Sequence, residues 1–269
     1  MTEAGYENIL ASCVTSFGVY CEVLDMWEHN PELEAKVREH LWNSTKREFK
    51  KPKNVAHVSD VIYKYRNELA AMSPYKLTNA QTGQPLKGVD HVGCHYAKIF
   101  PEKGVGGAEF PKVLSDVVTA FGGTVIDYPE RRHCCGFGFR NYILKETRGY
   151  SVSNSRIKFE SMAPYQPDFI VANCPGCAMF MDRWQYTLSE MEGRTYDEAG
   201  RGIPVLTHEE LAALMLGYNP WEIGLQMHQV QLESLFQKIG IQWDASQKYQ
   251  SKSGKLLTTP QKPEVLLVE

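Results

Sequence analysis

The sequence predicts an α/β protein made of parallel-sheet βα units, a complete domain preceded by a truncated half-repeat of the same fold. Three observations carry that reading. Short apolar and β-branched runs such as Ile170-Val171-Ala172 alternate with longer segments of helical period. Five cysteines fall just past the C-terminal ends of the strands so predicted. Finally, Ile9-Leu10-Ala11-Ser12-Cys13 resembles Ile170-Val171-Ala172-Asn173-Cys174, each followed by a helix, a strand and a second helix. On that alignment Cys13 matches Cys174, and Ser16 stands where Cys177 would be.

Residues 1–74 read as the truncated, degenerate half-domain. Ile9 to Ala11 is a short strand. Asn30 caps a helix with Pro31 at its first position and Leu33, Val37 and Leu41 on one face. Lys46 to Asn54 is a basic loop. Val55 to Val58 is a second strand, and Ser59 caps a helix turning Val61, Ile62, Tyr65 and Leu69 to a core. Residues 75–88, rich in Thr, Asn, Gln, Gly and Pro, read as a linker.

Residues 89–243 read as the complete domain. Val89 to Gly93 is a strand ending at Cys94. Lys112 to Phe121 is a helix stopped by Gly122-Gly123, and Thr124 to Tyr128 is a strand leading to Cys134 and Cys135. Asn154 to Met162 is helical, and Asp168 to Asn173 is a strand that delivers Cys174. A helix after Cys177 buries Trp184 and Leu188. Ile203 to Leu206 is a fourth strand, Thr207 caps the next helix, and Glu222 to Ile239 reads as the last helix. Residues 244–269 read as a mobile tail.

With 43% apolar and 23% charged residues, the composition is that of a soluble globular protein. A net charge of −3 gives no basic face for nucleic acid, and no apolar run reaches the ~18 residues of a membrane span. MTEAGYENIL has neither a basic nor an apolar signal region. Seven cysteines without a secretory signal point to a cytoplasmic setting, where clustered thiols mean metal or redox chemistry.

Five of the seven follow the pattern Cys-x39-Cys-Cys-x38-Cys-x-x-Cys, over Cys94, Cys134, Cys135, Cys174 and Cys177. Vicinal cysteines rarely reach relaxed disulfide geometry. In an open parallel sheet the strand ends that precede these cysteines face one crevice. Gathered thiolates there are ligands for zinc or for an iron–sulfur group. Zinc takes four ligands and would leave one thiol without a role.

Gly93-Cys94-His95-Tyr96, His133-Cys134-Cys135-Gly136 and Asn173-Cys174-Pro175-Gly176-Cys177 resemble the cysteine-rich CCG family, typified by the B subunit of heterodisulfide reductase. The resemblance extends from about Gly88 to Gly240. Typical members carry two copies of the motif; here the first is truncated. The resemblance implies that Cys94, Cys134, Cys135, Cys174 and Cys177 bind an iron–sulfur cluster, a [4Fe-4S] of noncubane type. It implies a redox subunit of a heterodisulfide-reductase-like complex, acting on a thiol/disulfide or persulfide substrate. The alternative is a non-catalytic electron-transfer or anchoring subunit of a succinate/fumarate- or lactate-type dehydrogenase.

The chain holds no Cys-x2-Cys-x2-Cys-x3-Cys-Pro run and no Gly-x-Gly-x-x-Gly signature. A ferredoxin-like iron–sulfur subunit and a flavoprotein subunit are therefore the expected partners. Around the cysteines, His95, Tyr96 and His133 are candidate proton donors. Arg131, Arg132 and His133 offset the charge of a cluster, receive an anionic sulfur substrate or form plain surface charge, and Gly136 and Gly138 let backbone N–H groups approach sulfur. Cys13 and Cys21 read as small buried hydrophobes or as a remnant site. Trp184, Trp221 and Trp243 read as packing anchors.

Overall fold

The computed structural model describes residues 6–138, 148–193, 196, 202–243, 249–250 and 256–257. The fold is α/β with parallel sheets. In chain order the main elements begin with β1 (Asn8–Ala11), α1 (Val14–His29), α2 (Pro31–Thr45), β2 (Asn54–His57), α3 (Val58–Lys64) and α4 (Arg66–Met72). They continue with β3 (Lys87–His91), α5 (Ser115–Ala120), β4 (Thr124–Val125), α6 (Arg148–Met162), β5 (Phe169–Ala172) and α7 (Pro175–Glu192). Then come β6 (Val205–Thr207), α8 (His208–Met215) and α9 (Glu233–Ile239).

β1 pairs with β2 in a two-stranded parallel sheet, and a second parallel sheet has the order β4-β3-β5-β6. All four residues of β5 are buried, as a central parallel strand covered on both faces requires. The chain leaves β3 for the β4 edge, returns to β5, and then moves outward to β6. The direction of winding therefore reverses between β3 and β5, which opens a crevice beyond their C-terminal ends. The N-terminal elements pack on this sheet. Val14, Phe17 and Cys21 of α1 share one apolar core with Val89, Phe169 and Val171. Residues 75–88 pack there too: Leu77 and Leu86 are buried and bonded to each other through their backbones at 2.8 Å.

Asn30 and Thr207 cap α2 and α8 as read, the latter in a reciprocal capping box with Glu210. Four readings change. The cap of α3 is His57, not Ser59: its Nδ1 accepts from the Ser59 N–H while the Asp60 carboxylate accepts from the His57 N–H. The helix also breaks at Tyr65, between α3 and α4; Val61 and Tyr65 face solvent while Ile62 and Leu69 turn inward. β4 is only two residues long, because it pairs with β3 at Lys87 and Gly88 alone before the chain turns toward the crevice. The stretch Glu222 to Ile239 is not one helix. The buried Asp182 carboxylate accepts the N–H groups of Gln229 and Val230 at 2.6 and 2.9 Å, which pulls the chain out of helical pairing and leaves only α9. The tail of residues 244–269 lies outside the described residues except for the strand pairs at 249–250 and 256–257. Among the described residues no helix is long and apolar enough to cross a membrane.

His57, at the end of β2, and His208, at the start of α8, stack their rings at 5.8 Å, and both are buried. Burial first, and the neighbouring His208 second, lower the His57 pKa to about 3 from 6.5. The unfolded chain therefore takes up the proton first. The stability tied to a neutral His57 is complete above pH 6.5 and is lost as pH falls toward 3, by up to about 1.4 kcal/mol per pH unit. His57→Asn keeps a capping side chain and should flatten this acid limb, as read by urea denaturation at pH 7 and pH 5.

Candidate metal centre

Each cysteine reaches the crevice by a local rule. Cys94 follows β3 and opens a π-helical turn, His95–Ile99, a geometry that recurs at functional sites. Cys174 caps α7 in extended conformation with Pro175 at the first helical position. One turn on, Cys177 returns to the same side, beside the positive end of the helix. Cys134 and Cys135 lie in the loop beyond β4, and that loop is fastened from below. Ser155 Oγ donates to the Cys135 carbonyl at 2.8 Å and Ser151 Oγ to that of Gly136 at 3.2 Å. Lys158 Nζ donates to the carbonyls of Arg131, Glu130 and His133 at 2.8, 3.2 and 3.4 Å. Asp90 of β3 takes Arg131 by two parallel bonds of 2.6 and 2.8 Å.

These anchors bring all five expected cysteines together as one run of touching thiols. Cys134 hydrogen-bonds to Cys135 and Cys94, Cys135 to Cys177, and Cys177 to Cys174. All seven cysteines are free thiols. Negative charge settles on Cys134, whose pKa falls because the thiols of Cys135 and Cys94 donate to it; theirs rise through the same bonds and then through burial. Backbone N–H groups add to this: Gly136 donates to Cys134 Sγ at 3.3 Å and Phe137 to Cys135 Sγ at 3.5 Å. The second donor is thus Phe137 rather than Gly138, whose nearest neighbour is the His95 ring.

Gly136 has φ +91°, and a Cβ on it would lie 2.6 Å from the Ser151 carbonyl oxygen. Gly136→Ala should therefore cost roughly 1–3 kcal/mol and lower metal retention, measured as the denaturation midpoint and the bound iron per chain. A second glycine serves by close approach: a Cβ at Gly93 would meet Val14 at 2.5 Å. That space lets the start of α1 seat against the crevice. Cys13, at the same helix end, packs on the core and hydrogen-bonds to the Cys174 thiol. Cys21 is buried in the apolar core.

The polar groups that line or adjoin the crevice fit an electron-rich guest. Arg132 Nη1 and Asn173 Nδ2 are donors in every state, and both are buried without a hydrogen-bond partner, as are His91 Nδ1 and His133 Nε2. Buried donors of this kind call for acceptors. An iron–sulfur group offers sulfur acceptors to them and takes soft thiolates as ligands, so the residues present fit it.

The other expected residues sort themselves by contact. His95 lies against Cys94, Nδ1 to Sγ at 3.5 Å, and with His133 and Arg132 it borders the cleft. Arg131 is committed to Asp90 and is not a free anion receiver. The Tyr96 hydroxyl is tied to the Asp60 carboxylate and the Val105 N–H, and burial raises its pKa, so it is not poised as a proton donor to the sulfurs. Trp221 and Trp243 stack on each other at 5.0 Å, and Trp184 packs on Phe180. Sequence reading missed His91, Asp90, Lys158 and Asn173. Two charged or ring-bearing residues inside a strand, Asp90 and His91, were a usable signal of buried polar function. Lys158, in a mixed helix, gave none.

A run of thiols at the winding reversal of a parallel sheet defines a cysteine-rich metal- or redox-cofactor domain. Residues 89–182 carry such a domain, matching the CCG family, "Cysteine-rich domain". The chain is similar, at 28% identity over 240 residues, to the B subunit of the ferredoxin/F(420)H(2)-dependent CoB-CoM heterodisulfide reductase of Methanosarcina acetivorans, covering 89% of this chain and 75% of that one. It is 27% identical over 220 residues to a protein of Archaeoglobus profundus described as like the heterodisulfide reductase B subunit, covering 80% and 69%. The 8-methylmenaquinol:fumarate reductase membrane anchor subunit of Wolinella succinogenes is 29% identical over 146 residues, 52% of this chain and 46% of that one. Among solved structures, a hypothetical protein from Helicobacter pylori shares the fold with TM-score 0.50 at 15% identity, over 77% of this chain and 34% of that one.

Proposed function

We propose that this chain is an iron–sulfur redox subunit of a heterodisulfide-reductase-like complex that exchanges electrons with a thiol/disulfide or persulfide substrate. Cys94, Cys134, Cys135, Cys174 and Cys177 are the ligands, and the group they hold is a [4Fe-4S] cluster of noncubane type. The observation that carries this reading is the unbroken run of five touching thiols ringed by unpartnered N–H donors. Five thiolates exceed what a four-iron cube takes, which favours the noncubane form.

When bound, the cluster supplies single electrons at the thiol-lined crevice. The chain's own residues do the rest. Cleaving a disulfide to two thiols takes two electrons and two protons. His95 and His133, the ring-bearing neighbours of Cys94 and Cys134 on the cleft wall, are placed to deliver those protons. Arg132 borders both the cleft and an adjoining open hollow of about 460 Å³ that Phe110 and Tyr165 also line, a route by which an anionic sulfur compound could approach. Lys158, Ser151 and Ser155 hold the Cys134-Cys135 loop still while the charge at the crevice changes. Electrons come from partners: a ferredoxin-like iron–sulfur subunit and a flavoprotein subunit of the same complex.

The likeness to the fumarate reductase anchor subunit favours a second reading, in which the chain only passes electrons. Titrating the oxidised, iron-loaded chain with a disulfide separates the two. A substrate-dependent change in its EPR signal supports catalysis. An unchanged signal leaves the wiring role.

A further inference from the structure

His91 closes β3, opposite Ala172 of β5, and so lies between the strand ends that carry Cys94 and Cys174. It is 4% exposed. One ring nitrogen and the Sγ atoms of Cys135 and Cys177 all lie within 4.8 Å of one another, while its Nδ1 has no hydrogen-bond partner. An imidazole buried in this way loses its water hydrogen bonds, and leaving a donor unsatisfied costs about 1–3 kcal/mol. Yet no described side chain or carbonyl takes up that nitrogen. The sulfurs that face the ring, those of Cys135 and Cys177, are both buried.

We propose that His91 is the hydrogen-bond donor to the buried face of the metal centre, giving its ring N–H to a sulfur there and thereby setting the reduction potential. This rests on the iron–sulfur reading above. Donation, not ligation, is the role that fits, because five thiolates already supply more terminal ligands than four irons need. An N–H···S bond favours the more negative, reduced state, as outer hydrogen bonds do at other sulfur-ligated centres. The backbone already supplies the Gly136 N–H to Cys134 and the Phe137 N–H to Cys135. His91 adds a side-chain donor at the buried Cys135 and Cys177 pair.

The test is a dye-mediated potentiometric titration of the full iron-loaded chain, with iron assayed in each sample. His91→Phe keeps the ring volume and removes the donor; His91→Asn shortens the side chain but keeps an N–H. The expected result is iron at the wild-type level in both, a midpoint shifted to more negative values in His91→Phe, and a midpoint nearer wild type in His91→Asn. A fully loaded His91→Phe with the wild-type midpoint overturns the proposal, as does an equal shift in His91→Asn. Should His91→Phe fail to hold iron, pulsed EPR of wild-type chain labelled with 15N-histidine decides. A weak nitrogen coupling supports donation, whereas no coupling, or the strong coupling of a bound ligand, overturns it. Wild-type chain that takes up no iron would instead overturn the iron–sulfur reading itself.

Discussion

Cys135→Ser should leave the anaerobically prepared chain almost without iron. Cys135 is 2% exposed and is the middle of the thiol run, bonded to Cys134 on one side and Cys177 on the other. Its carbonyl is clamped by Ser155 and its sulfur accepts from Phe137, so the loop cannot slide to bring another thiol into its place. A serine hydroxyl is a hard, weakly acidic substitute for a soft thiolate. Loss of an outer partner alone typically costs about 10–100-fold in metal affinity, and loss of a ligand should exceed that. Cys21→Ala is the matched control, since Cys21 is buried in the apolar core and does not line the crevice. Iron per chain and the visible spectrum report both. Full iron in Cys135→Ser would remove Cys135 from the ligand set.

Asp90→Ala should destabilise the chain by about 3–5 kcal/mol, the cost of breaking a buried ion pair by deleting one partner. Asp90 is fully buried, and its carboxylate takes both the Nε and Nη2 of Arg131. It also sustains Lys158, a buried lysine whose pKa burial lowers, against the pull of Asp90, to about 7. Without Asp90 two cations remain at the loop that carries Cys134 and Cys135, with no carboxylate to offset them from below. The double replacement Asp90→Leu with Arg131→Met removes both charges and should recover part of the loss. Denaturant unfolding of wild type, Asp90→Leu, Arg131→Met and the double variant measures the coupling. An Asp90→Ala variant within about 1 kcal/mol of wild type would show that the pair does not hold the loop.

Cys94, Cys134, Cys135, Cys174 and Cys177 were legible in the sequence because Cys94, the vicinal pair and Cys174 each come after a predicted strand, with Cys177 one helical turn on, and parallel strands present their C-terminal ends to one side. The caps at Asn30 and Thr207 were legible for a similar reason: capping is decided within four residues. The last helix was not. Its apolar period is genuine, but Asp182, more than forty residues earlier in the chain, takes the N–H groups of Gln229 and Val230. Tyr65 was misplaced because the helix breaks there, and Val61, before the break, faces solvent as well.

The sequence by itself determined the class of fold, the identity of the five thiols and the chemistry that soft sulfur donors admit, since these depend on residue type, periodicity and spacing. Only the tertiary structure decided what surrounds those thiols. Asp90 holding Arg131, Lys158 under the loop, Cys13 reaching Cys174 and His91 behind Cys135 and Cys177 all join residues far apart in sequence or on different elements. Such pairs form because a buried charge or N–H must find a partner wherever folding has brought one near, and that choice leaves no periodic trace along the chain.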